Sequence, residues 1–229
     1  MRFVITVLRP FVWLLCRILF RIEFHGVENI PPCGACVIAP NHVTYADPIW
    51  ITIPVRRRIY YMAWDKPFDI PVLGFLMRVF GAFPLNIESI DAGAHRTAVG
   101  VLRSGRALVV FPEGGRSKTG RLEPFKPGAF RLAIRYGAPV VPVTIRGAYK
   151  VWPVGKLFPR PGKLIVTYHR AIEVPRAEGG VGRQELRERA LLLARRTREA
   201  VAVALDPASL PDDETTVFDM KARAHEENA

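Results

Sequence analysis

Cysteine is scarce in this chain: Cys16, Cys33 and Cys36 are the only three in 229 residues. Three thiols cannot build a disulfide framework, which fits a reducing compartment. Cys33-Gly-Ala-Cys36 has the spacing of half a zinc site, but no second pair completes four ligands, so no metal is expected. The reading preferred for these thiols is that of small apolar residues beside a buried strand. Long uncharged runs are also missing at the amino terminus. In residues 2–22, RFVITVLRPFVWLLCRILFRI, the longest is Pro10–Cys16, seven residues. A spanning helix needs roughly 20, and the scattered arginines without a small-residue cleavage site exclude a secretory signal. No Gly-x-Ser-x-Gly elbow occurs; Ser104 follows Leu102-Arg103, so a covalent serine route lacks its motif. Gly115-x4-Gly120 resembles the start of a P-loop, but Arg121 and Leu122 stand where Lys and Ser/Thr are required, which excludes nucleotide binding by that motif.

What is present is a folded, basic chain. The 49% hydrophobic and 24% charged fractions are those of a globular protein, and the length suits one domain with small appendages. Lys and Arg outnumber Asp and Glu by 33 to 21, a net charge of +12. From Asp206 onward seven acids face two bases, a net −5, which leaves +17 on residues 1–205. Such a body suits an anionic partner, either nucleic acid or an anionic membrane. The aromatics lie in apolar runs rather than among basic residues, and no nucleic-acid-binding motif occurs, so nucleic acid is not expected. At about 100° per residue, Arg2, Arg9, Arg17 and Arg21 share about 120° of a helical wheel. Phe3, Val7, Phe11, Leu14, Leu15, Ile18 and Leu19 cover most of the rest. Residues 1–22 therefore read as an interfacial membrane-anchoring segment, apolar body among acyl chains and arginines among headgroups, kinked into two pieces at Pro10.

Beyond residue 22 the pattern alternates. Apolar runs bounded by Gly and Pro predict strands over Cys36–Ala39, Ile59–Ala63, Ala82–Leu85, Ala107–Phe111, Val140–Ile145 and Lys163–Tyr168. Helical patterns cover Pro48–Pro54, Pro67–Val79, Asp91–Arg103, Pro127–Tyr136 and Arg183–Leu205. This predicts an α/β domain over 23–205, with a mixed, largely parallel sheet flanked by helices. Residues 206–229 read as an acidic, disordered tail.

Two constellations follow strand ends, where α/β folds place their chemistry. The first is His42-x4-Asp47. Imidazole is suited to take a proton near neutral pH, and a carboxylate on its other nitrogen fixes the tautomer. Residues five apart on a helix lie about 140° from each other, so pairing requires the segment to turn. Asp47-Pro48 is a natural N-cap and first helical position. The second is Glu113-Gly114-Gly115-Arg116. The glycines let backbone approach a ligand and offer N–H groups to an anion. Arg116 supplies a fork for phosphate. Glu113 has two candidate roles, orienting Arg116 or contacting a glycerol hydroxyl.

The pair His42-x4-Asp47 and Phe111-Pro112-Glu113-Gly114-Gly115-Arg116-Ser117 resembles the lysophosphatidic acid acyltransferases, the 1-acylglycerol-3-phosphate O-acyltransferases. Gly81-Ala-Phe-Pro-Leu-Asn86 is similar to that family's second motif. Val141-Pro142-Val143-Thr144-Ile145 is similar to its fourth, and Phe125-Lys126-Pro127-Gly128-Ala129 to the stretch after its third. The resemblance covers roughly residues 25–175. It implies His42 as base, Asp47 as its partner, and Glu113, Gly114, Gly115, Arg116, Asn86 and Lys126 as substrate-binding residues. It also implies acyl-CoA or acyl carrier protein as donor, a lysophospholipid acceptor, no metal or redox cofactor, and a peripheral or monotopic place on the cytoplasmic face of the cell membrane. One departure stands out. The second motif ends in arginine, and here the residue after Asn86 is Ile87. That arginine helps hold the acceptor phosphate in the family, so a different lyso-lipid acceptor remains an alternative, with Arg78, Arg96 or Lys126 as substitutes for the lost cation. A non-catalytic membrane lipid-binding protein is the other reading.

Overall fold

A strand whose two faces are both covered must be apolar at every position, whereas one with a wet face alternates. Cys36-Val-Ile-Ala-Pro40 is apolar throughout, and in the computed structural model, which describes residues 2–86, 91–177 and 182–205 with the side chains of 2–9 and 12 excepted, all five residues are buried. This strand, β2, lies at the centre of a seven-stranded sheet. In chain order the others are β1 (Glu23–His25), β3 (Ile59–Trp64), β4 (Ala82–Leu85), β5 (Ala107–Val109), β6 (Val140–Arg146) and β7 (Ile165–Tyr168). The spatial order is β1-β7-β6-β2-β5-β3-β4. All neighbours are parallel except β6 and β7, so the expected mixed, largely parallel sheet is borne out.

Successive side chains on β2 enter different cores. Cys36 and Ile38 join a cluster with Trp50, Ile51, Val143, Ile145 and Tyr168. Val37 and Ala39 join one with Ala98, Leu108, Phe130 and Leu193. The first face is covered by α2 (Asp47–Thr52), α6 (Ala148–Val151) and the end of α1 (Arg2–Phe20). The second is covered by α4 (Ala92–Arg103), α5 (Gly128–Tyr136) and α7 (Arg183–Leu205). Cys36 is packing material: burial pushes its thiol up to about 11, while Cys33 is exposed.

Several expected boundaries move, each for a local reason. The helix expected over Pro67–Val79 is a 3-10 turn, Lys66–Asp69, followed by α3, Pro71–Val79. Ile70 precedes a proline and is extended, with φ −82 and ψ 112, as pre-proline crowding requires. The strand expected to reach Phe111 stops at Val109; Val110 still donates to the Ile38 carbonyl, and Pro112 beyond it has no N–H to extend the ladder. The strand expected from Lys163 begins at Ile165. β1, three residues long, was outside the expected strands. α1 is one helix with Pro10 inside it, not two pieces, because the missing N–H deletes one hydrogen bond while the turns on either side keep theirs. The tail, 206–229, lies outside the described residues.

Two faces are left uncovered. In α1, Cys16 and Phe20 are buried, with Phe20 edge-on to Trp50 at 5.9 Å. Phe11 (67% exposed), Leu14, Leu15 and Ile18 (68%) face outward. In α3 only Gly74 and Val79 are buried, and Val72 (72%), Leu73, Phe75 (66%) and Leu76 are exposed. Among the described residues no helix is long and apolar enough to cross a membrane.

At the opposite end of the sheet from the strand ends that carry the motifs, Arg57 donates to the carbonyls of Pro31, Cys33, Gly34 and Gly105 at 2.5–3.3 Å. One guanidinium thus ties the turn before β2 to the turn before β5. Arg57→Ala is expected to destabilise the fold by about 1–3 kcal/mol, the range for losing charge-assisted hydrogen bonds. Urea unfolding checks this; a variant as stable as the parent would remove the tie from the account.

Candidate active site

Parallel strands leave their carboxyl ends on one edge, and the motif loops leave that edge in neighbouring places. β2 ends at Pro40 and runs into the His42 loop; β5, hydrogen-bonded beside it, runs into Glu113-Gly114-Gly115-Arg116. The loop after β2 turns, as the His–Asp pairing requires. His42 Nδ1 lies 2.8 Å from Asp47 Oδ2. Asp47 is 0% exposed. Its Oδ2 also accepts from the N–H groups of Val43 (2.7 Å) and Thr44 (2.8 Å), and its Oδ1 from the Thr44 hydroxyl at 2.6 Å. The carboxylate therefore faces back over the loop. It is not the N-cap of α2; that position is Ala46, with no side-chain cap. The loop competes for the same carboxylate with more donors than a cap supplies.

With Nδ1–H directed at Asp47, Nε2 carries the lone pair. The imidazole side chain is 17% exposed and stacks on Phe111, ring centroids 3.9 Å apart. A second carboxylate holds the loop from the other side. Glu113 Oε1 accepts the His42 N–H at 2.6 Å, and Oε2 accepts the Glu123 N–H at 3.0 Å. The Ser117 N–H returns to the His42 carbonyl at 2.8 Å. The two motifs are thus stitched through backbone groups. Burial pushes the Glu113 carboxyl up to about 7, outweighing those two N–H donors.

Arg116 lies flat on Tyr45, its guanidinium carbon 3.4 Å from the ring centroid. Among the described residues, the buried side-chain nitrogens and oxygens without a hydrogen-bond partner are Arg116 Nη1 and Ser117 Oγ, neighbours in the motif. A buried orphan donor costs about 1–3 kcal/mol, and such groups call for a ligand or a function. Gly114 has φ 77, and a Cβ there would lie 2.5 Å from Lys126 Nζ. Only glycine lets the lysine cross this turn. Around Gly115 the equivalent space is open.

The structure thus brings His42, Asp47, Glu113, Gly114, Gly115, Arg116 and Lys126 to one place. Asn86 is set apart. It follows β4, whose N–H at Asn86 is taken by Asp91 Oδ2 at 2.9 Å, and β5 and β3 intervene between β4 and β2, about 14 Å at ordinary strand spacing. Ile87 lies outside the described residues. Of the cations suggested as substitutes for the missing arginine, Lys126 lies at the glycine turn, whereas Arg78 sits over Phe68, 5.1 Å from its ring centroid, at the end of α3. Three contributors escaped the sequence reading. Tyr45 carries no signal of its own between His42 and Asp47, and Phe111 and Ser117 stand at the two ends of the motif without an assigned role. Asn41 also acts, donating to the Ile145 carbonyl and accepting its N–H, and so ties the end of β2 to β6.

A family model described as Acyltransferase matches residues 21–146. This chain belongs to the acyltransferase family. Members similar to it include a chloroplastic 1-acyl-sn-glycerol-3-phosphate acyltransferase of Brassica napus, 34% identical over 141 residues, covering 59% of this chain and 40% of that one. The chloroplastic enzyme of that name from Arabidopsis thaliana is 31% identical over 165 residues, covering 69% and 46%. The chain thus matches less than half the length of these two plant relatives. Among solved structures, the 1-acyl-sn-glycerophosphate acyltransferase of Thermotoga maritima superposes with a TM-score of 0.68 at 26% identity, covering 87% of this chain and 80% of that one. The acyltransferase fold and the resemblance drawn from the motifs therefore stand together.

Within this acyltransferase, Glu113 makes a prediction about pH. Its folded pKa of about 7 lies above the ordinary glutamate value of 4.5. The folded state therefore holds the proton longer, and the group's contribution to stability is fullest below about 4.5 and lost as pH rises through about 7. Glu113→Gln should flatten the pH dependence of unfolding free energy across that window by an amount on the order of 3 kcal/mol at most. Urea unfolding of both proteins at pH 5, 6, 7 and 8 checks this; a constant difference across the series would refute the shift.

Proposed function

We propose that the chain is an O-acyltransferase that moves a fatty acyl group from a thioester donor, acyl-CoA or acyl carrier protein, to the free hydroxyl of 1-acylglycerol-3-phosphate, forming phosphatidic acid. The observation that carries the reading is the His42–Asp47 pair at 2.8 Å beside the unpartnered, buried Nη1 of Arg116. One offers a lone pair to an alcohol and the other a donor to a phosphate oxygen.

In the reaction, the acceptor hydroxyl gives its proton to His42 Nε2 as its oxygen bonds to the thioester carbon. Asp47 holds the ring's tautomer and stabilises the imidazolium. The C–S bond then breaks, and the imidazolium returns the proton to the thiolate, so a free thiol leaves and the base is restored. The N–H groups of His42, Val43 and Thr44 already donate to Glu113 and Asp47. Stabilising the oxyanion therefore falls to donors of the glycine turn and Arg116. The acceptor's phosphate would sit against Arg116, Ser117 Oγ and Lys126, with Lys126 standing in for the arginine that Ile87 replaces. Asn86, set apart on β4, is kept as a more distant substrate contact.

The exposed apolar faces of α1 and α3 support a monotopic place on a membrane. α3 leaves β3 at the same sheet edge as the His42 loop, so a lipid acceptor resting on it would meet the site without leaving the bilayer surface. Exposed apolar patches of this extent mark interaction sites. The cytoplasmic face of the cell membrane is the side we assign.

His42→Ala should lower turnover by about 10²–10⁴-fold, the span of general-base catalysis; near-normal turnover in a folded variant would remove the base from the mechanism. Arg116→Ala should raise the acceptor KM with the donor KM unchanged. A panel of lyso-lipids with labelled acyl-CoA identifies the acceptor, and labelling of a lyso-lipid without a phosphomonoester in preference to 1-acylglycerol-3-phosphate would move the assignment to that acceptor.

A further inference from the structure

A concavity flanks the His42 loop. It has a volume of about 900 Å³ and is walled by the loop Thr119–Leu122, the end of β6, α6, residues 161–163 and the last turns of α7. Asn41 and Val43, the two neighbours of His42 in the chain, form part of its lining. The cavity therefore begins one residue, about 3.8 Å of backbone, from the base.

Its charge is of one sign. Arg121, Arg146, Lys150, Lys163 and Arg198 line it, and no Asp or Glu does. Two of the five have work elsewhere. Lys163 pairs with Glu23 at 2.8 Å, and Arg198 donates to the carbonyls of Leu122 and Glu123 at 3.0 and 3.2 Å, closing the loop against α7. Arg121, Arg146 and Lys150 form no ion pair among the described residues. Between the cations the walls are apolar: Val43, Leu122, Ile145, Val151 and Ala202. The loop is held in place by packing, since a Cβ on Gly120 would meet the Tyr149 ring at 2.6 Å, and the Tyr149 hydroxyl donates to the Lys118 carbonyl at 2.9 Å.

A concavity with unpaired cations, apolar stretches between them and both chain neighbours of the base in its lining fits an elongated molecule that carries several phosphate charges and a reactive end. The unpartnered donors Arg116 Nη1 and Ser117 Oγ are not among this lining. Two anion-binding regions, the cavity and the Arg116–Ser117 donors outside its lining, suit a reaction that brings two phosphorylated substrates to one imidazole. We propose that this cavity binds the phosphorylated pantetheine end of the acyl donor, with Arg146 and Lys150 gripping its phosphates, while the thioester reaches past Asn41 and Val43 to His42. The proposal rests on the acyltransferase reading above. The same phosphorylated arm is shared by CoA and by a holo acyl carrier protein.

The test uses the full chain in detergent micelles. Free CoA is titrated calorimetrically into the parent, Arg146→Ala, Lys150→Ala, the double variant, the charge-keeping pair Arg146→Lys and Lys150→Arg, and Lys156→Ala, an exposed lysine outside the lining. Binding should weaken about tenfold in each alanine variant and about a hundredfold in the double, as expected for losing one or two charge-assisted contacts. It should be retained in the charge-keeping variants and in Lys156→Ala. In turnover the donor KM should rise while the acceptor KM and kcat stay put, the reverse of Arg116→Ala. Holo acyl carrier protein is titrated in parallel, and loss of its binding instead of CoA's in the double variant assigns the carrier as the source of the arm. Unchanged donor binding in the double variant, equal weakening in Lys156→Ala, a rise in acceptor KM, or no binding of either donor by the parent overturns the proposal. Because binding is read without turnover, donor binding lost in the double variant alongside inert chemistry would fault the reaction and leave the site.

Discussion

The site depends on a single buried carboxylate. Asp47 is withdrawn wholly from solvent, and an unpaired carboxylate there would be prohibitively costly to bury. Two backbone N–H groups, a hydroxyl and an imidazole offset that cost. The arrangement works in both directions. The loop gives the charge its donors, and the charge forces the loop to curl so that residues 42, 43 and 44 all face position 47. The geometry of the base is therefore a by-product of satisfying an ion in a dry place, which explains why so short a segment, without regular structure, holds its shape at the edge of a sheet.

Glu113 repeats the device with a different balance. It too is a carboxylate holding backbone N–H groups, but its partners lie in two separate loops, so it acts as a clasp between the ends of β2 and β5. Burial outweighs the two N–H donors of Glu113 and leaves it protonating near neutrality. Arg116, three residues on, keeps its Nη1 without a partner while the acid is engaged with backbone N–H groups. Orphaned donors at Arg116 and Ser117 follow from where Glu113 points.

Much of this was legible in the residues. The uninterrupted apolar runs of β2, β5 and β6 announced strands buried on both faces, and the α/β alternation with Pro127 and Gly137 around α5 announced the layers. The spacing of His42 and Asp47 excluded a straight helix, and the loop does turn. Other features depend on long-range placement that no local pattern encodes. Glu113 reads equally well as a ligand contact or a clasp until the His42 N–H is known to lie 2.6 Å away. Asn86 shares a sheet edge with His42, but how many strands separate them is a property of topology. β1 is only three residues long and owes its existence to pairing with β7, some 140 positions later. The basic residues lining the 900 Å³ cavity come from four separate stretches of chain.

The junction between α1 and β1 carries a last consequence. Arg21 and Ile22 alone separate the helix from the strand, Arg21 adopts a positive φ of 41, and the carbonyls of Leu19 and Phe20 accept N–H groups from Gly162 and Leu164. The helix is bolted to the sheet rather than hinged to it. Its uncovered side therefore has one compass bearing relative to the strands, and adding one residue to the helix itself ahead of this joint would swing that bearing by about 100°. The pitch at which this molecule rides on any greasy surface is written in two backbone torsions.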